Sequence, residues 1–82
     1  MIHKIKCEPR FFEESISGNK PFELRFNDRG YQVHDTIVLQ EWDPVKKDYT
    51  GRELTFTVAF ILSDYEGLTP GYVVMSTVPI KH

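Results

Sequence analysis

The sequence has very little cysteine and no long apolar segment. Cys7 is the only cysteine among 82 residues, so no disulfide can form within the chain, which suits a reducing compartment. The longest apolar run, Val58 to Leu62, is far shorter than the ~20 residues of a membrane-spanning helix. The first six residues have no apolar stretch of signal-peptide length. These features exclude a disulfide-stapled scaffold, and they predict a cytoplasmic protein with no membrane partner.

An excess of basic residues is also missing. The chain has 10 basic and 12 acidic residues and a net charge of −2, which argues against coating nucleic acid by bulk electrostatics. The first 30 residues carry six basic and five acidic side chains, so a local basic site can still form there. Six Phe, four Tyr and one Trp supply the large apolar surfaces that a single domain of this length, residues 1–82, needs for a core.

The hydrophobic pattern predicts five strands and one short helix. Ile2 to Cys7 alternates between apolar and polar residues, as a half-buried strand does. Glu8-Pro9 then opens a helix that Gly18 ends, with Phe12 and Ile16 on its apolar face. The remaining strands are predicted at Phe22 to Phe26, Thr36 to Trp42, Arg52 to Leu62 and Tyr72 to Val78.

So many short strands in one small chain predict a mainly β member of the α+β class. We expect a bent β-barrel of about five strands, with one short helix after the first strand, because a curled sheet hides its edges. The segment from Asp43 to Gly51 is predicted to be a polar loop. In the strand that follows, Leu54, Phe56, Val58 and Phe60 are predicted to share one face.

The segment from Gly18 to Arg25 is the most informative about function. Lys20 falls at a helix-to-strand corner, and Glu23 and Arg25, two residues apart on a strand, share a face. A carboxylate between two cations suits a polar ligand, because Arg offers a planar fork of donors and Glu offers an acceptor. The same pattern is also typical of a solvated strand face, where an ion pair contributes only ~0–1 kcal/mol.

Two further segments could add polar groups to this corner. Asn27, Asp28 and Arg29 precede a glycine and have the composition of a turn at the same rim. The segment from Tyr49 to Arg52 offers a ring, a hydroxyl and a guanidinium, which single-stranded RNA recognition uses for stacking and polar contacts. We expect Tyr49 and Arg52 to join the site if their loop folds over the corner.

Metal and thiol chemistry have little support. His3 and Cys7 share a strand face with Ile5, which favours a partly buried structural histidine over a catalytic one. A structural zinc site requires four ligands, and no second cysteine exists. We therefore predict no metal and no cofactor. His34 and His82 are interpreted as loop and tail residues.

The string G-x-K-x-x-E-x-R from Gly18 to Arg25 resembles the signature of the ASCH (activating signal cointegrator homology) family, part of the PUA-like β-barrel superfamily. The order and spacing of other residues resemble a small bacterial and phage-associated branch of that family over nearly the whole chain. Those residues are His3, Lys6, Phe12, Asn27-Asp28-Arg29, Asp35, Tyr49-Thr50-Gly51-Arg52, Gly67-Leu68 and Gly71-Tyr72-Val73-Val74. His34 departs from the branch pattern, which has glycine at this position.

The resemblance implies a bent barrel with a cleft between barrel and helix. It also implies a role in RNA binding, RNA modification or transcription-linked coactivation. Carried over by residue, the cleft would be lined by Lys20, Glu23 and Arg25, with Asn27, Asp28 and Arg29 next to them.

One ASCH branch is an amidohydrolase that deacetylates acetylcytidine. Its motif resembles G-x-K-x-x-T-x-R, so Lys20 matches but Glu23 stands where that branch has its threonine nucleophile. The later glutamate of that branch could correspond to Glu41, Glu53 or Glu66. Catalysis here would require Lys20 and Glu23 to activate a water, with Glu23 as general base.

Three functions therefore remain open. The residues and the resemblance favour a module that binds single-stranded or structured RNA, or a nucleoside-like small molecule. A protein-interaction module is second, with the chain a monomer or a weak dimer. An amidohydrolase acting on an acylated nucleoside is third.

Overall fold

The computed structural model describes residues 1–80 and confirms a mainly β fold with one short helix after the first strand. The strands form one curled sheet in the order β1-β3-β4-β5-β2, in which β1 is parallel to β3 and all other neighbours are antiparallel. No helix in residues 1–80 is long and apolar enough to cross a membrane. The elements are β1 (Ile2–Cys7), α1 (Pro9–Ser17), β2 (Phe22–Phe26), β3 (Thr36–Asp43), β4 (Asp48–Ser63) and β5 (Tyr72–Pro79).

The sheet forms half of a barrel. Among the described residues β1 and β2 are its two edge strands, and they have no other strand beside them on their outer edges. Side chains from the concave face pack with Phe12 of α1 into one core, which includes Ile37, Leu39, Val58 and Met75. The gap between β1 and β2, called here the seam, is where this core opens to solvent.

Helix α1 begins and ends as its sequence predicts. Pro9 occupies the first turn, and Gly18 ends the helix at φ 83°, a conformation that glycine adopts without a steric penalty. Phe12 is buried as predicted, but Ile16 is 48% exposed and Ser15 is buried instead. The prediction for Ile16 was wrong because the buried stripe of this short helix follows i, i+3 spacing rather than i, i+4.

The predicted loop from Asp43 to Gly51 is mostly strand. Strand β3 continues to Asp43 and β4 begins at Asp48, with Trp42 paired to Tyr49. Asp43 Oδ1 accepts the N–H groups of Val45 (2.9 Å) and Lys46 (3.2 Å), so the chain reverses within four residues. The segment from Tyr49 to Arg52 therefore lies on a strand and not on a loop that could fold over the Lys20 corner.

A β-bulge changes the faces of β4. The register with β5 shifts between Val58 and Phe60, and an extra residue at such a shift moves the following side chains to the opposite face. Val58 is fully buried, whereas Phe60 is 61% exposed. The prediction that Phe60 shares the buried face of Leu54, Phe56 and Val58 was wrong for this reason.

Strand β2 is oriented with its charged side chains inward. Glu23 pairs with the buried Met75 of β5 on the concave face. Phe22, Leu24 and Phe26 lie on the convex face, and each is about half exposed (44, 53 and 53%). The sequence predicted the alternation correctly, but only the structure shows which of the two faces is buried.

Candidate functional site

A cavity of about 650 Å³ lies at the seam, between β1, α1 and β2. We call it the seam cavity. Its charged lining comprises Lys6, Glu8, Lys20, Glu23 and Arg25, and its aromatic lining comprises Phe11, Phe22 and Trp42. The helix-to-strand corner delivers Lys20 to this cavity, because the Lys20 N–H donates to Glu14 O (3.1 Å) and fixes the chain directly after Gly18.

Glu23 is the centre of the polar lining. Its side chain is only 3% exposed, and its Oε2 atom is in contact with the Lys20 ammonium. The Arg25 guanidinium donates to Oε1 from both Nε (3.0 Å) and Nη2 (2.9 Å). The three predicted residues therefore converge, and the interpretation of Glu23 as part of a solvated strand face was wrong because this carboxylate faces the interior.

Both cations of this cluster are also held by backbone oxygens. Lys20 Nζ donates to Phe22 O (3.0 Å), and Arg25 Nη2 donates across the seam to Lys6 O (3.0 Å). Since Lys6 belongs to β1 and Arg25 to β2, this last bond links the two edge strands that the sheet leaves unpaired. These contacts hold the polar groups of the cavity in fixed orientations, and such pre-orientation favours specific binding.

Aromatic rings flank the charged groups. Lys20 Nζ lies 5.3 Å from the centroid of the Phe22 ring and 6.0 Å from that of Phe11. Lys6 Nζ lies 3.9 Å from the Trp42 centroid, and the Trp42 and Tyr49 rings meet edge to face at 4.9 Å. Cations placed over ring faces are attracted by the ring quadrupole. The lining therefore combines flat apolar surfaces with fixed donors and one buried acceptor.

A second hollow of about 380 Å³ adjoins the seam cavity and shares Lys6 and Arg25 with it. It brings three predicted residues, Asp28, Arg29 and Tyr49, to the neighbourhood of Arg25; its other lining residues are Lys4, Ile5, Phe26 and Tyr31.

The predicted residue Asn27 has a different role. Asn27 Oδ1 accepts the N–H of Tyr31 (3.0 Å), a bond that closes the turn after β2, and Asn27 is not part of the lining of either hollow. The structure therefore gives it a local structural role.

Arg52 lies in a separate cluster beneath the helix. It donates to the buried Glu41 from Nε (2.9 Å) and Nη2 (2.7 Å), and Nη2 also donates to Glu13 of α1 (2.5 Å). Thr50 donates to the same Glu41 carboxylate at 2.7 Å. Hydrogen bonds from Arg52 and Thr50 lower the pKa of Glu41 below its usual range. Arg52 lines neither hollow. It therefore does not join Lys20, Glu23 and Arg25 in one site.

His3 is buried and contacts the carboxylate of Asp35, the third buried carboxylate of the structure after Glu23 and Glu41. Its Nε2 atom lies 2.8 Å from Asp35 Oδ2, which also accepts the N–H of Gln32 (3.0 Å). The Met1 amino group donates to Asp35 Oδ1 at 3.1 Å. The bond from His3 is the main reason that the pKa of Asp35 falls to about 2. His3 is buried, as predicted.

His34 and Cys7 lie at separate places in the described chain, one in a loop and the other at the end of β1. His34 lies in a loop as predicted, at φ 78°, a left-handed conformation that is uncommon for residues other than glycine. Burial raises the pKa of the Cys7 thiol, which lines the seam cavity. Residues 1–80 contain no group of three or more His, Cys, Asp or Glu arranged to hold a metal ion. His82 lies outside the described residues.

Lys4, Lys6, Phe11 and Trp42 are among the residues of the two hollows that sequence reasoning missed. Alternation along the first strand places Lys4 and Lys6 on its solvent face, and their nearness to β2 follows from the curl of the sheet. Trp42 had one available signal, because it is the only tryptophan and stands at a strand end. Phe11 had none, since it is one of two adjacent phenylalanines and only the structure shows which one faces the cavity.

Sequence similarity identifies the family of this chain. Residues 2–77 match the family described as "Domain of unknown function (DUF3850)". A relative in Escherichia phage P2, described as "Uncharacterized 12.9 kDa protein in GpA 3'region", is 35% identical over 66 residues. That match covers 78% of this chain and 59% of the relative, so the chain spans about three fifths of the relative's length. Because the family match covers nearly all of it, the chain belongs to the DUF3850 family.

Proposed function

We propose that the seam cavity binds a nucleobase, presented by single-stranded or structured RNA or by a nucleoside-like small molecule. The observation that carries the proposal is the buried Glu23 carboxylate, held by Lys20 and Arg25 inside a cavity with aromatic walls. A nucleobase has two flat π faces and an edge of alternating donors and acceptors, and proteins read it by stacking and by hydrogen bonds to that edge.

The lining supplies both kinds of contact. Phe11, Phe22 and Trp42 provide ring surfaces, and Lys20, Glu23 and Arg25 provide donors to a base carbonyl and an acceptor for an amino group. A volume of about 650 Å³ falls within the size range of small-molecule sites. The net charge of −2 agrees with recognition by a local site rather than by a broad basic face.

The resemblance of Gly18 to Arg25 to the ASCH signature supports the same proposal. Three residues that match that signature, Lys20, Glu23 and Arg25, are those that converge in the cavity. On this basis we extend the proposal to a role linked to RNA modification or to transcription coactivation in the cytoplasm of a bacterial cell.

The experiment is a titration of the protein with the four ribonucleosides, acetylcytidine and short single-stranded RNAs. Trp42 lines the cavity and is the only tryptophan, so its fluorescence reports occupancy directly. We expect Arg25→Ala and Glu23→Gln to weaken binding about tenfold to a hundredfold, since each removes hydrogen bonds to or from a charged group.

Arg52→Ala is the matched control. It removes an arginine from a buried carboxylate of the same kind, but Arg52 has no place in the cavity lining. We expect it to leave affinity within about twofold of the parent, as distant sites usually act independently. If the parent and Arg25→Ala proteins bind with equal affinity, and circular dichroism shows that both are folded, the seam cavity is not the binding site.

Amidohydrolase activity is not proposed. Both Glu23 carboxylate oxygens already accept hydrogen bonds from Lys20 or Arg25, an arrangement that leaves this group poorly placed to activate water. The amidohydrolase hypothesis can be tested with the same protein samples, by assaying the release of acetate from acetylcytidine. Release of acetate from acetylcytidine above the level of a Lys20→Ala variant would show that the cavity is catalytic.

The convex face of the sheet favours a second candidate, a protein-interaction module that pairs with a second copy of this chain. Strand register places five residues of β4 and β5 side by side on this face, none of them charged and none in the lining of either hollow: Phe60, Leu62, Tyr72, Val74 and Ser76. An uncharged patch is complementary to itself, and a twofold dimer would cover it.

Sedimentation velocity over a range of concentrations tests this second candidate. We expect a weak dimer that Phe60→Glu abolishes, because Phe60 is exposed on this face and lines neither hollow. Val45→Glu is the control, since Val45 is exposed in the β3–β4 turn. A monomer at all concentrations would contradict dimerisation and leave the nucleobase site unaffected.

A further inference from the structure

The second hollow brings four cationic side chains together. Lys4, Lys6, Arg25 and Arg29 line it, together with a single carboxylate, Asp28. Within residues 1–80, Lys4, Lys6 and Arg29 form no ion pair with a carboxylate. In a chain of net charge −2, such a local excess of positive charge marks a place where an anion would be attracted.

Two of these cations connect the second hollow to the seam cavity. Lys6 and Arg25 line both. Arg25 uses Nε and Nη2 for Glu23 and Lys6 O, and its Nη1 donates to no acceptor within the described chain. A guanidinium fixed on one side in this way can still donate on its other side, and guanidinium groups match phosphate oxygens well.

The phenol of Tyr31 completes the lining of the second hollow. Burial raises the pKa of Tyr31, and the positive charges of Arg29 and Arg25 partly oppose that shift. The phenol is therefore neutral at physiological pH and adds a hydrogen-bond donor rather than a second negative charge.

We propose that the second hollow binds a phosphate group, so that the ligand of the two joined hollows is a nucleotide unit rather than a free base or nucleoside. The base half of this statement rests on the proposed function of the seam cavity. The phosphate half rests on Lys4, Lys6 and Arg29, which form no ion pair within residues 1–80, and on their continuity with that cavity through Arg25. The same chemistry could come from a free nucleotide or from the backbone of an RNA strand.

The experiment compares each ribonucleoside with its 5′- and 3′-monophosphates, with inorganic phosphate and with short RNAs as further probes. We expect the phosphate to increase affinity about tenfold to a hundredfold, and this increase to shrink as NaCl is raised, because contacts between cations and phosphate are screened. Amide shifts in a ¹H–¹⁵N spectrum identify which hollow each probe occupies. Tighter binding of RNA than of any mononucleotide identifies the strand backbone as the source of the phosphate.

The double variant Lys4→Gln/Arg29→Gln should abolish the advantage of nucleotides over nucleosides and leave nucleoside affinity within about twofold, since neither residue lines the seam cavity. Lys46→Gln/Lys47→Gln is the matched control, because it removes the same charge from the exposed β3–β4 turn and should retain the advantage.

The outcomes of these experiments distinguish failure of the phosphate site from failure of the nucleobase site. If nucleosides bind in the seam cavity but nucleotides bind no better, the phosphate site is refuted and the nucleobase site stands. If phosphate and nucleotides shift only residues of the second hollow and nucleosides shift nothing, the phosphate site stands and the nucleobase site is refuted. Binding of neither nucleosides nor phosphate-containing probes refutes both.

Discussion

Glu23 and Glu41 form two ionic clusters of the same kind with different surroundings. Each is a buried glutamate whose carboxylate accepts two hydrogen bonds from one arginine, Arg25 or Arg52. Around Glu41, helix α1 adds Glu13, which also accepts from Arg52, and strand β4 adds Thr50, whose hydroxyl donates to Glu41. Around Glu23 the neighbouring space is the open seam.

The difference shows that a buried ion pair does not by itself indicate function or stability. A buried pair is weak evidence for stability, because desolvation offsets much of the attraction between the charges. Location decides its role here. The Glu41 cluster joins helix to hairpin, whereas the Glu23 cluster leaves polar atoms at the wall of a cavity that a ligand can enter.

The largest expected effect separates the two adjacent phenylalanines of α1. Phe12 is 1% exposed, and the Arg52 guanidinium lies 4.9 Å from its ring centroid, whereas Phe11 lines the seam cavity. Phe12→Ala should lower the free energy of unfolding by about 3–5 kcal/mol. Phe11→Ala should lower it by about 1 kcal/mol or less but weaken nucleoside binding. Urea unfolding and Trp42 fluorescence measure the two quantities.

Since Phe12→Ala could prevent folding of so small a domain, Phe12→Leu provides the graded version. We expect it to lose about 1–2 kcal/mol and to bind nucleosides as the parent does. A greater loss of stability from Phe11→Ala than from Phe12→Ala would contradict the assignment of one ring to the core and the other to the cavity.

Exchanging each arginine for lysine should give an intermediate effect. Lysine keeps the charge but lacks the planar fork that both glutamates contact. Arg52→Lys should lower the urea midpoint and leave ligand binding unchanged, because its cluster is structural. Arg25→Lys should mainly weaken binding, since Lys20 still neutralises Glu23. If both variants changed stability and binding in the same proportion, the two clusters would be equivalent and the distinction between them would be lost.

The smallest expected effect is confined to acid and concerns Asp35, whose partner is a histidine rather than an arginine. The folded pKa of about 2 lies below the ordinary 3.8, so the carboxylate stabilises the fold at pH values above about 4. That contribution is lost as the pH falls from about 4 through 2. His3→Gln should remove most of this acid dependence, because His3 is the main cause of the lowered pKa.

The measurement is urea unfolding between neutral pH and pH 2, with an NMR titration of the Asp35 carboxyl carbon. Gln40→Ala, which removes a hydrogen bond to the exposed Glu53, is the control and should leave the acid profile unchanged. An Asp35 titration midpoint near 4 in the folded protein would show that the contact with His3 does not stabilise the charged form.

Several elements were predictable because their signals are local. The bounds of β1 and β2 and both ends of α1 follow from alternation, from Pro9 and from Gly18, and the structure confirms them. Lys20, Glu23 and Arg25 could be grouped for the same reason, since strand periodicity links the last two and the helix end places the first. The failures at Ile16, at Phe60 and in the hairpin that carries Arg52 have non-local causes: helix–sheet packing, a bulge and strand register.

The sequence by itself determined the strand periods, the helix ends and the fact that Glu23 and Arg25 share a face. It could not determine which face is inside, because a two-residue period defines two faces and is silent about which one meets the core. Only the tertiary structure decided that the charged face of β2 turns inward and the aromatic face outward. It did so because the curled sheet stops short of closing, and the open seam between β1 and β2 gives the charges an interior that a ligand can reach.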